Sequence, residues 1–121
     1  MATKKVLMVD DSALARMMLR KVIQNNFPDW TLLEAAGAQQ SLELVQQEQP
    51  TLALLDYNMP EMNGLDLAIM LIEKIPTLSI YLVTANIQNA TRQRAEAAGI
   101  GFVCKPVDAA TLKPVFASVL S

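Results

Sequence analysis

The sequence predicts an α/β protein: one doubly wound sheet of five parallel strands with five helices, forming a single domain over residues 1–121. Three observations predict it. Short apolar runs alternate five times with stretches of helical periodicity. The connections are brief, and no linker, repeat or low-complexity segment interrupts them. The third run, 51–55 (TLALL), has no polar alternation, as a strand covered on both faces requires.

Each element follows in turn. Lys5–Val9 (KVLMV) is the first strand, and Asp10-Asp11-Ser12 comes next. Ser12 or Asp11 can cap a helix whose apolar positions Leu14, Met18 and Val22 recur at i, i+4 and i+8. That helix ends before Pro28, because proline cannot continue it. Thr31–Ala35 reads as the second strand and 37–48 as the second helix, with Leu42 and Val45 facing inward. After the third strand Asn63 can cap a helix, with Asp66 three residues on in a box-like arrangement. Leu65, Ala68 or Ile69, Ile72 and Ile75 make its core stripe, and Pro76 lies past its end. The fourth strand is 78–83 (LSIYLV), and the fourth helix is 86–98, stopped by Gly99. The fifth strand is 100–103. A last helix begins after Asp108 or Thr111; Pro114 is better tolerated with Thr111 as the cap, which puts it in the first turn. Met17, Met18 and Met70 are expected in the core. Cys104 is expected to be a small buried residue, and Trp30 to lie away from the active edge.

Composition removes several function classes. With 52% hydrophobic residues and mean hydropathy +0.26 the chain is too apolar to be disordered. No apolar run approaches the roughly 18–20 residues that span a membrane. The short run after Met-Ala-Thr-Lys-Lys meets two aspartates too soon for a signal peptide. One cysteine makes no internal disulfide, which points to a reducing cytoplasm. Net charge is −2 with scattered cations, so no basic stripe suggests direct nucleic-acid binding. There is no histidine, which excludes His-based zinc sites and Ser-His or Cys-His nucleophiles.

The polar residues then fall on this frame. Asp10 and Asp11 follow strand one, Asp56 ends strand three, Thr84 ends strand four and Lys105 follows strand five. In a parallel sheet those ends share one edge, where doubly wound folds bind ligands. Three carboxylates together repel one another and lose hydration, and a hard cation such as Mg²⁺ relieves both. Three negative charges, a divalent metal and Lys105 sum to zero. An aspartate there can cap a helix, bind a metal or act as a nucleophile forming an aspartyl-phosphate. Taken singly, Asp10-Asp11 reads as a helix cap, Asp56 as a turn residue, Lys105 as a surface lysine and Thr84 as a strand-end hydroxyl. Their coincidence at one edge outweighs those separate explanations.

The motifs VDDS (9–12), LLDYNMPEMNG (54–64), VTA (83–85) and CKP (104–106) occur in this order at these strand ends. Through them the chain resembles a response-regulator receiver domain of two-component signalling, of the single-domain CheY-like kind, from Lys5 to the last helix. The resemblance implies a flavodoxin-like sheet in the order 2-1-3-4-5. It makes Asp56 the phosphoryl acceptor, and Asp10, Asp11, Asp56 and the backbone carbonyl of Asn58 the Mg²⁺ ligands. Lys105 pairs with the phosphoryl oxygens, Thr84 hydrogen-bonds to them, and Phe102 occupies the aromatic switch position. The Lys105–Pro106 bond is expected to be cis. A sensor histidine kinase would be the donor, and a downstream protein would bind the face of helix four, strand five and helix five.

Three readings stay open on this resemblance: a stand-alone switch, possible in chemotaxis; a shuttle passing the phosphoryl group to a histidine elsewhere; and the receiver part of a larger regulator. Asn58 and Asn86 are expected to influence how fast water removes the phosphoryl group. An aspartyl-phosphate hydrolase needs a second catalytic carboxylate two residues after the nucleophile and a lid. Position 58 is Asn and no insertion forms a lid, so that class is set aside.

Overall fold

A computed structural model describes residues 4–85 and 88–119. Its elements run β1 Lys5–Val9, α1 Ala13–Asn26, β2 Thr31–Ala35, α2 Ala38–Glu48, β3 Leu52–Asp56, α3 Gly64–Lys74, β4 Ser79–Thr84, α4 Asn89–Ala97, β5 Gly101–Cys104 and α5 Ala109–Ser118. The strands form one parallel sheet in the order β2-β1-β3-β4-β5, the order that the receiver resemblance implies. β3 is central and buried throughout, which explains its unbroken apolar run.

Period-two alternation divides the strand side chains between two cores. Leu7, Ala53, Leu55, Ile80 and Leu82 pack with Leu65, Leu71 and Ala95 from α3 and α4. Val6, Leu52, Leu54, Val83 and Val103 pack with Ile23 from α1 and Val115 and Phe116 from α5. Trp30 and Phe27 close this second core: Phe116 stacks on Phe27 at 4.2 Å between centroids and meets Trp30 edge-on at 4.9 Å.

The helix ends follow their local chemistry. The Ser12 hydroxyl accepts from the Ala15 N–H and caps α1, and the Asn63 side chain accepts from the Asp66 N–H and caps α3. α4 closes in a Schellman turn: Ile100 N–H donates to Ala95 O, Gly99 N–H donates to Glu96 O, and Gly99 takes φ +78°. Position 86, expected at the start of α4, lies outside the described residues.

Several expectations are corrected. β3, β4 and β5 each begin and end one residue later than predicted, because the ladder continues to Asp56, Thr84 and Cys104. Leu14 and Met18 do not face the core; they are 62% and 60% exposed, and Met17 is exposed too. α1 instead turns Leu19, Val22 and Ile23 inward. Apolar residues occur around most of this helix, so periodicity alone selects no single face. Its rotation also suits Arg16 and Arg20, whose guanidinium groups bond to Asp10 and Glu34. In α3 the fully buried side chains are Leu65, Leu67, Ala68 and Leu71, while Ile69, Ile72 and Ile75 are half-buried. Cys104 is exposed, because it is the last residue of an edge strand. Asp108, not Thr111, caps α5: the two residues form a reciprocal capping box, leaving Pro114 inside the helix beyond the first turn.

Candidate functional site

The site is built at the carboxyl edge of the sheet, where the chain leaves successive strands. Parallel register sets its layout. Val9 pairs with Leu55, so Asp10 leaves β1 level with Asp56 at the end of β3. Backbone bonds tie the strand exits together. Asp10 N–H donates to Ala35 O at 3.1 Å, Tyr57 N–H to Val83 O at 3.1 Å, and Lys105 N–H to Thr84 O at 3.0 Å.

The side chains converge on Asp56, which is only 6% exposed. Lys105 Nζ donates to Asp56 Oδ1 at 2.8 Å, across 49 residues of sequence. One carboxylate oxygen from each of Asp10, Asp11 and Asp56 lies within 4.8 Å of the others. Thr84 is buried at the end of β4, beside Cys104 in the register. Lys105–Pro106 is cis. Asn58 lies exposed in the loop after Asp56, and Phe102 is half-buried on β5 with the Arg92 guanidinium 5.1 Å from its ring centroid.

The electrostatics follow from this crowding. Burial pushes the Asp10 carboxyl above the ordinary aspartate value, opposed by the Ser12 N–H it accepts at 2.9 Å and reinforced by Asp56. The hydrogen bond to Asp56 raises Lys105 above an ordinary lysine, so the ammonium stays charged. The arrangement is an anionic pocket with one fixed cation. Its three hard oxygen donors, close together and partly desolvated, fit Mg²⁺.

The structure brings together Asp10, Asp11, Asp56 and Lys105 as predicted from sequence. It also shows three residues that sequence reasoning did not assign. Arg16 Nη1 donates to the Asp10 carbonyl at 2.6 Å, and Glu34 on β2 is hydrogen-bonded by Arg20, with Arg16 Nε in a looser ion pair at 3.9 Å. No sequence motif links positions 10, 16 and 34, since the contact depends on the rotation of α1 over β2. Gly64 is the third: its N–H donates to Tyr57 O at 2.8 Å, and an added Cβ would stand 2.5 Å from Asp56 O. It belongs to the LLDYNMPEMNG motif, but only the fold shows what it touches.

Known proteins share this architecture and sequence. The protein-glutamate methylesterase/protein-glutamine glutaminase of Pyrococcus horikoshii is 36% identical over 105 residues, covering 84% of this chain and 28% of that protein. The protein of the same name from Methanococcus maripaludis is 31% identical over 114 residues, covering 93% of this chain and 31% of its own length. The chain thus spans under a third of these relatives. The Vibrio cholerae chemotaxis protein CheY4 superposes with a TM-score of 0.87 at 27% identity, covering 98% of this chain and all of that one. Among the described residues no helix is long and apolar enough to cross a membrane. A family model for the response regulator receiver domain matches residues 6–116. With the sheet order and the acidic strand-end cluster already in place, the chain belongs to the response regulator receiver domain family.

Proposed function

We propose that this receiver domain is a phosphorylation-activated signalling switch, with Asp56 accepting the phosphoryl group from a histidine kinase. The single observation that carries this reading is the Lys105–Asp56 contact of 2.8 Å, set at a buried strand end beside two further carboxylates. It makes Asp56 both a dry nucleophile and the neighbour of a fixed cation. In the transfer, an Asp56 carboxylate oxygen attacks the phosphorus of a phosphohistidine. The P–O bond forms as the P–N bond breaks, and the departing imidazole recovers its proton from solvent.

Asp10, Asp11, Asp56 and the backbone carbonyl of Asn58 hold Mg²⁺ in this reading. The ion, when bound, supplies positive charge against the transferring phosphoryl oxygens. Lys105 supplies the remaining charge beside Asp56 and orients the same oxygens. Asn58, exposed two residues after the nucleophile, lies where it can influence attack by water. Position 86 has the same expected role and lies outside the described residues.

Phosphorylation takes the charge at Asp56 from −1 to about −1.5 to −2. Thr84 then turns its hydroxyl toward the phosphoryl oxygens, and Phe102 rotates into the space this opens. The face of α4, β5 and α5 changes shape and binds a downstream protein. Arg92 over the Phe102 ring gives the present conformer a stabilising contact that the switch must displace. The exposed Leu14, Met17 and Met18 begin three residues beyond Asp11 and offer apolar area to an approaching donor. Likeness to the Vibrio cholerae chemotaxis protein CheY4 supports a role in chemotaxis, and the lone cysteine supports a cytoplasmic setting. A second reading, the receiver part of a larger regulator, is favoured by relatives more than three times as long as the matched segment.

Intact mass after incubation with a small acyl phosphate, with and without Mg²⁺, tests the proposal beside Asp56→Asn. The expected result is a Mg²⁺-dependent gain of one phosphoryl group that the variant lacks. No gain under either condition would leave a constitutive binding module as the better reading.

A further inference from the structure

We propose that Arg16 is a positioning residue for the acidic pocket: by bonding the Asp10 carbonyl while Glu34 holds its guanidinium, it fixes the Asp10–Asp11 turn in the conformation that binds Mg²⁺. This rests on the reading that the three carboxylates take that ion.

The geometry makes a continuous chain from β2 to the pocket. Asp10 has just left β1, and its N–H is secured to Ala35 O at 3.1 Å. Its carbonyl accepts from Arg16 Nη1 at 2.6 Å, a short charge-assisted bond. The Arg16 side chain is only 20% exposed, and its Nε stands 3.9 Å from Glu34 Oε1. Glu34 is itself held: Arg20 Nε and Nη2 donate to its two oxygens at 2.7 and 2.8 Å. A bidentate pair of this kind fixes direction as well as distance. Arg16 therefore stands in a 3.9 Å ion pair with Glu34 on β2 and hydrogen-bonds the peptide that carries Asp10 and Asp11.

That peptide matters because the pocket's carboxylates repel one another. Released, the turn would swing Asp10 and Asp11 apart and raise the cost of bringing them back around a cation. The positive charge of Arg16 works the other way, since it disfavours a second cation nearby. Orientation and charge thus predict opposite signs, and substitution separates them. Arg16→Lys keeps the charge and loses the planar fork; Arg16→Met loses both.

The test is the Mg²⁺ dissociation constant of the full chain, measured by calorimetry, with melting temperature in EDTA recorded for each variant. Both Arg16→Lys and Arg16→Met are expected to weaken Mg²⁺ binding by about tenfold, the usual scale for outer partners of a metal site. Glu34→Gln is expected to weaken it less. Arg16→Met with Glu34→Gln is expected to be no worse than Arg16→Met alone, because both act through one contact. Tighter binding by Arg16→Met, with Arg16→Lys like the wild type, would mean charge dominates and would overturn the proposal. A lowered melting temperature with unchanged affinity would overturn it equally, by assigning Arg16 to the fold alone. If Arg16→Met does not fold, Arg16→Lys and Glu34→Gln decide the question. Wild-type protein that binds no Mg²⁺ would overturn this inference and the metal reading together, whereas intact wild-type binding with unaltered variants would overturn this inference only.

Discussion

Asp56 sits at the end of β3 with 6% of its surface exposed, and a carboxylate that dry depends on its partner. Lys105 is that partner at 2.8 Å, yet its own side chain is 38% exposed, so water moderates its loss. Lys105→Met is expected to destabilise the metal-free protein by about 1–3 kcal/mol, toward the lower end of that range. Urea unfolding in EDTA and again with Mg²⁺ checks this, and the ion is expected to restore part of the difference. Gly64 constrains the same residue at its backbone. A Cβ there would stand 2.5 Å from Asp56 O and 3.0 Å from Tyr57 Cα, and both are backbone atoms that cannot step aside alone. Gly64→Ala is expected to cost about 1–3 kcal/mol and to slow labelling by the acyl phosphate. Unfolding midpoints and the time course of the mass gain measure the two effects. A variant that folds and labels like the wild type would show that the loop shifts freely.

Among the elements, α4 and β5 are joined by the Schellman turn at Gly99, whose φ of +78° is left-handed. Nothing lies within 4 Å of the Cβ an alanine would add, so space does not oppose the substitution. Gly99→Ala is expected to cost about 1–2 kcal/mol through backbone conformation alone. A fall in unfolding free energy with unaltered Mg²⁺ affinity is the expected result, because the turn lies at the opposite end of β5 from Lys105. α1 and α5 show where element-level reasoning falls short. α1 offers Leu14, Met17, Met18, Leu19, Val22 and Ile23, more apolar residues than one face can hold. Which of them meet the core depends on where Arg16 and Arg20 find partners: Asp10, just past the end of β1, and Glu34 on β2. In α5, the capping box of Asp108 and Thr111 sets the start, and Pro114 is carried inside the helix as a consequence. Two reciprocal hydrogen bonds at the cap favour that register over one that would move the proline to the first turn.

Across the molecule, the acidic edge and the Arg16–Glu34–Arg20 cluster join β1, β2 and α1 electrostatically. Hydrogen bonding from Arg20 holds the Glu34 carboxyl below the ordinary glutamate value. A carboxyl depressed on folding contributes stability that is full above its unfolded value, about 4.3, and is lost as pH falls through the lower folded value. Glu34→Gln removes that contribution. Melting temperature plotted against pH is therefore expected to fall less steeply below pH about 4.3 in the variant than in the wild type, with the largest difference between the two at neutral pH. Parallel curves would show that folding does not depress the Glu34 carboxyl.

The sequence by itself determined the alternation of strands and helices, a cap for α1 at Asp11 or Ser12, the cap at Asn63, the stop at Gly99 and the shared edge for Asp10, Asp11, Asp56, Thr84 and Lys105. These were legible because they depend on local periodicity, capping chemistry and the rule that parallel strands end together. The receiver motifs added the sheet order. Only the tertiary structure decided the rotation of α1, the exposure of Leu14, Met17, Met18 and Cys104, and the contacts of Arg16, Glu34 and Gly64. Each of these depends on atoms distant in sequence: a guanidinium reaching a carbonyl six residues back, a carboxylate on the neighbouring strand, a glycine against the peptide of Asp56. Short-range patterns state which residues can be buried or charged, and packing between elements selects the ones that are.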